Sequence, residues 1–101
     1  SMGKSKSPWY SDVKKAVYRS MSGKEAATTP ESIAVAEAIK KAREDAQERP
    51  HGEKRLQLFE LVYGRGIAFP GAAMLVYVSE ATASNWTREF IYTVGKYLGY
   101  T

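Results

Sequence analysis

The stretch from Leu61 to Gly99 places two helical patterns on either side of a very short connection. The first pattern ends near Val76, so Tyr77 and Val78 leave room only for a tight turn. Ser79 follows directly, and serine commonly caps helices because its side-chain oxygen accepts a hydrogen bond from the first turn. Apolar residues then recur at helical spacing, at Ala83, Trp86, Phe90 and Val94 and next at Tyr97 or Leu98. The sequence therefore predicts a helix-turn-helix, with Ser79 as the cap of its second helix.

The packing inside this motif follows from residue size and helical phase. Ala73 is the small residue that lets the two helices approach, and either Leu75 or Val76 points inward. Val78 is expected to insert under both helices. Trp86 is interpreted as a core residue, whereas the helical phase places Tyr92 on the outward side of the second helix.

Further helical patterns precede the motif, and no segment alternates apolar and polar residues for long enough to form a strand. We expect a first helix with Ser7 as its cap, and a second helix capped by Thr28 or Thr29. The predicted helices cover about Pro8 to Ser22, Pro30 to Arg49, Gly52 to Tyr63 and a short segment ending near Val76. The fold class is therefore all-α, a small helical domain of about five helices with a C-terminal helix-turn-helix.

The length of 101 residues, of which 44% are hydrophobic, suffices for a single compact domain with one core. We interpret residues 1–7 as a disordered head with an expression scar at its start. Residues 8–49 form N-terminal helices and residues 50–101 the helix-turn-helix region. Many apolar residues of the second helix are alanines, which suit either close packing in the core or a dimerisation face.

The residue types that the sequence lacks exclude several classes of function. The chain has no cysteine and a single histidine, His51, so disulfides, thiolate metal sites and a Cys–His pair are excluded. No glycine-rich phosphate loop follows a strand, and we expect no enzyme, cofactor, metal or small-molecule substrate. The longest apolar run, Ala72 to Val78, is far shorter than the ~20 residues that cross a membrane. We therefore expect no membrane partner and a cytoplasmic location in a bacterial host.

Charge and side-chain chemistry point to double-stranded DNA as the partner. The net charge is +4, which favours a polyanion. On the second helix of the motif, Asn85 can pair with adenine, and Arg88 with guanine or a phosphate. Ser79, Thr82 and Ser84 are expected to bond phosphates, aided by the partial positive charge of the helix N-terminus, and Thr82 can instead contact a thymine methyl. Flanking phosphates are assigned to a further set of cationic residues, Lys54, Arg55, Arg65 and Lys96.

Each of these residues also has a simpler structural explanation. Ser79 caps a helix whether or not DNA is present, and Asn85 and Arg88 are residues of ordinary polar surfaces. Glu80 and Glu89 repel phosphate, so we expect them to point aside or to act against wrong sequences. The hypothesis of DNA binding thus depends on Asn85 and Arg88 being accessible to a duplex.

The segments VYVSEATASNWTREFIYTVGKYLGY, from Val76 to Tyr100, and LFELVYGRG, from Leu58 to Gly66, carry a resemblance to a known family. The chain resembles the RinA/ArpU-like phage transcriptional regulators, whose C-terminal half is a helix-turn-helix related to the promoter-reading part of sigma factors. Residues 9–20 and 27–39 are similar to the upstream helices of that family, more loosely. The resemblance implies an activator of phage or prophage late genes. The sequence departs from the family pattern at Tyr77, where glycine is common, and at Gly71 inside the short first helix.

Two other functions compete with this hypothesis. A small terminase subunit recognises viral DNA for packaging with a helix-turn-helix, but usually has an oligomerisation segment after it; no such segment follows the predicted helix here, which favours regulation. A protein-interaction module that binds RNA polymerase is the second alternative. A motif of this size has a small footprint on DNA, so we expect a homodimer or a partner such as RNA polymerase to add specificity.

Overall fold

The computed structural model describes residues 7–24 and 26–100, and each of their secondary-structure elements is helical. No strand occurs among these residues, and the prediction of an all-α fold of about five helices is confirmed. The helices are α1 (Tyr10–Met21), α2 (Pro30–Asp45), α3 (Gly52–Phe59), α4 (Phe69–Leu75) and α5 (Glu80–Tyr97), and α3 continues into a π-helical turn at Glu60–Gly64.

The start of α1 differs from the prediction. Residues 1–6 of the predicted disordered head lie outside the described residues, so that prediction is not addressed there. Trp9, not Ser7, is the N-cap, and its side chain makes no capping hydrogen bond. The carbonyl of Ser7 accepts from the Tyr10 amide at 3.0 Å, while its hydroxyl lies 3.4 Å from the hydroxyl of Tyr92. Ser7 therefore contacts α5 rather than capping α1.

The cap of α2 is the predicted one, but its end is not. Thr29 accepts a hydrogen bond from the Ser32 amide at 3.1 Å, and a proline follows at the first helical position. The helix ends at Asp45 rather than at Arg49. The chain turns back early because the buried Gly52 lies directly against the backbone of Ala46, where a Cβ atom at residue 52 would overlap it.

The small side chains of α2 are used inside the protein. Ala34, Val35 and Ala38 are all buried in the core, which lets α2 lie close to α1, α3 and α5. Their interpretation as core residues is confirmed. Ile33 differs from them, since 53% of its surface is exposed.

The predicted helix from Gly52 to Tyr63 is α-helical only as far as Phe59. The next turn is π-helical, and the Arg65 amide donates to the Glu60 carbonyl at 2.9 Å. A π turn holds one more residue than an α turn and so shifts the helical phase. Phe59 and Tyr63, four residues apart, both face α5, with ring centroids 4.4 Å and 6.1 Å from that of Phe90.

The helix-turn-helix forms as the sequence predicts. Ala73 and Val76 are buried, so Val76 rather than Leu75 is the inward residue. The connection to α5 is tight because Tyr77 has a left-handed backbone, with a φ of 61°. The Val78 amide then donates to the Ala73 carbonyl at 3.1 Å, and Val78 is partly buried against the core.

A single hydrophobic cluster joins the helices. It contains residues of every helix and of the π turn, and its largest fully buried side chains are Leu58, Ile91, Val17 and Val94. Ile91 is fully buried, but it is not among the residues predicted for the buried side of α5. Thr87 and Val94, one helical turn before and after it, are also buried, so helical spacing is consistent with its position. None of the helices in residues 7–24 and 26–100 is long and apolar enough to cross a lipid bilayer.

Candidate nucleic-acid interface

The first turn of α5 is closed by Ser79 and Thr82. The Ser79 hydroxyl oxygen accepts from the Thr82 amide at 3.1 Å, and the same hydroxyl donates to Thr82 Oγ1 at 3.0 Å. The predicted capping role of Ser79 is confirmed. Since the Ser79 proton is used in this pair, the hydroxyl of Thr82 is a free side-chain donor on this turn, because no acceptor for it lies among the described residues.

The exposed face of α5 carries Asn85 and Arg88 one helical turn apart. Both side chains are exposed, and their predicted accessibility is confirmed. Together with Lys96 they border one shallow depression along the helix. Arg88 forms no ion pair with a carboxylate among residues 7–24 and 26–100. Its guanidinium therefore remains available to a ligand.

On one side of this face, α1 and α5 form a cleft that brings Lys14 to Arg88 and Ser84. Tyr10, Tyr18, Tyr63 and Phe69 are among the residues that wall it. Burial raises the pKa of the Tyr10 hydroxyl, and the positive charge of Arg88 partly offsets that rise. Sequence reasoning missed Lys14, because its position on α1 predicts only a solvated side; the packing of α1 and α5 makes it line the same cleft as Arg88.

On the other side of the face, two arginines meet one carboxylate. Arg49 Nη2 and Arg55 Nη1 lie 3.2 Å and 3.1 Å from the same oxygen of Glu89, Oε1. The Arg55 guanidinium also lies over the Trp86 ring, 4.8 Å from its centroid. Arg55 was predicted to contact phosphate, but here its charge is directed at Glu89. Glu89 is paired with the two arginines and also lines the depression that Asn85 and Arg88 border.

The remaining predicted cations are spread over different surfaces. Arg65 borders a depression between α2, α3 and the π turn, which no residue of α5 lines. Lys54 is half-buried in α3. Only Lys96 shares a surface with Asn85 and Arg88. Of the four flanking cations, the structure thus brings one to the exposed face of α5.

Aromatic rings cover the C-terminal half of α5. Tyr92 was predicted to point outward, but it is half-buried, and the Trp9 ring meets it edge-on with centroids 5.0 Å apart. Trp9 also stacks on Tyr100 at 5.1 Å and lies against Gly95. The prediction for Tyr92 was wrong because the residues that begin α1 pack on this side of α5. Asn85 and Arg88 in the N-terminal half of α5 stay exposed, as do Glu89, Lys96 and Tyr97 in its C-terminal half.

By its fold the chain is a helix-turn-helix protein, with an accessible polar face on the second helix of the motif. No family model, curated protein or solved structure matches it.

Proposed function

We propose that this protein binds double-stranded DNA by inserting the N-terminal half of α5 into the major groove. In helix-turn-helix proteins the second helix lies in that groove, and residues of its N-terminal part contact the base edges. We further propose that it regulates transcription, as the resemblance to RinA/ArpU-like regulators implies. The regulated genes are then late genes of a phage or prophage, and RNA polymerase and a second copy of the chain are candidate partners.

The proposal is supported above all by the exposure of Arg88 and Asn85 and by the lack of a carboxylate partner for Arg88 among the described residues. Both side chains lie on one face of α5. An arginine can bond both acceptors of guanine, and an asparagine can bond the acceptor and donor of adenine. The two side chains are one turn apart, so they suit neighbouring base pairs.

Phosphate contacts are assigned to the groups that surround these two residues. Thr82 can donate its free hydroxyl proton at the start of α5, where the helix dipole favours an anion. Lys14 lies in the cleft beside Arg88 and Ser84, so it suits a phosphate of the strand that runs along α1. Such contacts set the position of a protein on the duplex without reading its sequence.

The test is a selection from randomised duplexes, followed by affinity measurements with three variants. We expect Arg88→Ala and Asn85→Ala each to weaken binding to the selected sequence about 5- to 150-fold, the range for a lost bidentate base contact. Arg43→Ala is the matched control. Arg43 is also exposed, but it borders the depression on α2 and α3 that no residue of α5 lines. Its loss should change affinity by less than about threefold, since one distant surface charge contributes little.

Three outcomes would contradict the proposal. The first is that the parent protein selects no sequence and binds no duplex at low salt. The second is that Arg88→Ala and Asn85→Ala remain folded and bind like the parent. The third is that all three variants weaken binding equally, which would indicate binding by charge alone without contacts that read the bases. Mass in solution tests the regulatory part, because a large ring of subunits would favour the small terminase function instead.

A further inference from the structure

The cluster of Arg49, Arg55 and Glu89 has the composition of an anion site that a side chain already occupies. Both guanidinium groups approach Glu89 Oε1, at 3.2 Å and 3.1 Å, so two positive charges share one negative charge. The cluster adjoins the face of α5 that carries Asn85 and Arg88. Solvent reaches it, because the side chains of Arg49 and Glu89 are 44% and 57% exposed.

The three side chains are held to different degrees. Arg55 is only 17% exposed and lies over Trp86, so packing fixes it. The backbone of Arg49 is fixed in its turn, since its amide donates to the Asp45 carbonyl at 2.8 Å. Glu89 is the most exposed of the three. Ion pairs at exposed positions contribute little free energy, so another anion can compete with Glu89 for Arg49.

We propose that Glu89 is a specificity-determining residue that keeps Arg49 from DNA phosphate. This inference depends on the proposed function of α5 and names a second contact surface for the same duplex. The phosphodiester backbone competes with the Glu89 carboxylate for the Arg49 guanidinium, while Arg55 stays against Trp86. Phosphate contacts strengthen binding to every sequence alike. By pairing with Arg49, Glu89 weakens the affinity that all DNA sequences share. Discrimination between sequences then depends on Asn85 and Arg88.

The experiment compares Glu89→Gln with Glu80→Gln on a duplex that lacks the selected sequence. Both variants remove one negative charge from α5, but Glu80 forms no ion pair among residues 7–24 and 26–100. Affinity is measured from 50 to 200 mM salt. We expect Glu89→Gln to bind more tightly at low salt and to steepen the log-log salt slope by about 0.9, the value for one added phosphate contact. This corresponds to an additional loss of about 3.5-fold over the fourfold rise in salt. Glu80→Gln should leave the slope unchanged.

A double variant tests the assignment to Arg49. Arg49→Ala combined with Glu89→Gln should return the slope to that of the parent. Equal steepening in Glu80→Gln and Glu89→Gln would overturn the proposal, because charge alone would then explain it. A lower melting temperature of Glu89→Gln with an unchanged slope would also overturn it, since Glu89 would then only tether α5. If the parent binds DNA and Arg88→Ala abolishes specific binding, such results contradict this inference alone; if the parent binds no duplex, both proposals are wrong.

Discussion

The two halves of α5 differ in what surrounds them. In the N-terminal half, Asn85 and Arg88 face solvent, and only the cap by Ser79 closes the first turn. The C-terminal half is covered by the Trp9 ring, which stacks on Tyr100 and meets Tyr92 edge-on. The covered half helps to fix the direction of the helix, and Ala83 and Trp86 bury the inner side of the open half, so its outer side needs no packing role. Side chains on such a rigid element can be held in a defined geometry for a ligand.

The largest effect that tests this comparison is expected at Gly95. A Cβ atom there would lie 2.5 Å from Cζ3 of Trp9, so Gly95→Ala must displace the ring from its stack on Tyr100. Overpacking of this kind costs about 1–3 kcal/mol, and the higher helix propensity of alanine offsets ~1 kcal/mol of it. We expect a net loss of up to about 2 kcal/mol in the free energy of unfolding. Urea denaturation followed by circular dichroism measures it.

Gly71 provides the matched control for this substitution. It lies inside α4, and an added Cβ would meet only Ile67 Cγ2 at 3.8 Å, an ordinary contact. Gly71→Ala should therefore stabilise the protein by ~1 kcal/mol. In a Trp9→Ala background, Gly95→Ala should become stabilising as well. If Gly95→Ala stabilises the parent as Gly71→Ala does, Trp9 does not hold the C-terminal half of α5.

Local signals in the sequence predict most of the fold. Thr29 and Ser79 cap α2 and α5 as expected, because a cap depends on residues within one turn. The end of α2 is missed because Gly52 approaches Ala46 in three dimensions, while Pro50 is the first breaker in the sequence. The π turn after Phe59 is missed because no local pattern in the sequence distinguishes it from a continued α-helix.

The candidate site is predictable only in part. The exposure of Asn85 and Arg88 follows from helical phase, which one helix determines by itself. Lys14 and Arg49 reach the flanks of α5 from other elements, and no sequence pattern indicates which elements pack there. Tyr92 is a further example. Its position in the helical repeat of α5 predicts an exposed side chain, but residues at the start of α1 cover it.

A smaller effect is expected at the open end of α5. Ser79→Ala removes the cap and should lower the free energy of unfolding by ~1 kcal/mol, while Ser79→Asp keeps it. Because the carboxylate of Ser79→Asp would face the phosphates proposed to bind there, this variant should bind DNA more weakly at unchanged stability. Thr29→Ala is the control, since it removes the equivalent cap of α2 and should lower stability without changing DNA affinity. Normal DNA binding by Ser79→Asp would indicate that the first turn of α5 does not approach the phosphates.

The smallest effect is expected at Tyr77, in the turn that sets α4 against the open half of α5. Its φ of 61° is strained for a residue with a Cβ, and its side chain is 84% exposed, so little packing is lost on removal. Tyr77→Gly relieves about 1–2 kcal/mol of strain, and the greater freedom of glycine in the unfolded chain offsets about 0.4–1 kcal/mol. We expect a net stabilisation of ~0.5 kcal/mol, measured as a rise of roughly 3 °C in melting temperature. Tyr77→Ala removes the same ring but keeps the strain, so it should melt like the parent. Equal melting temperatures for the glycine and alanine variants would mean that the left-handed backbone of this turn is not strained.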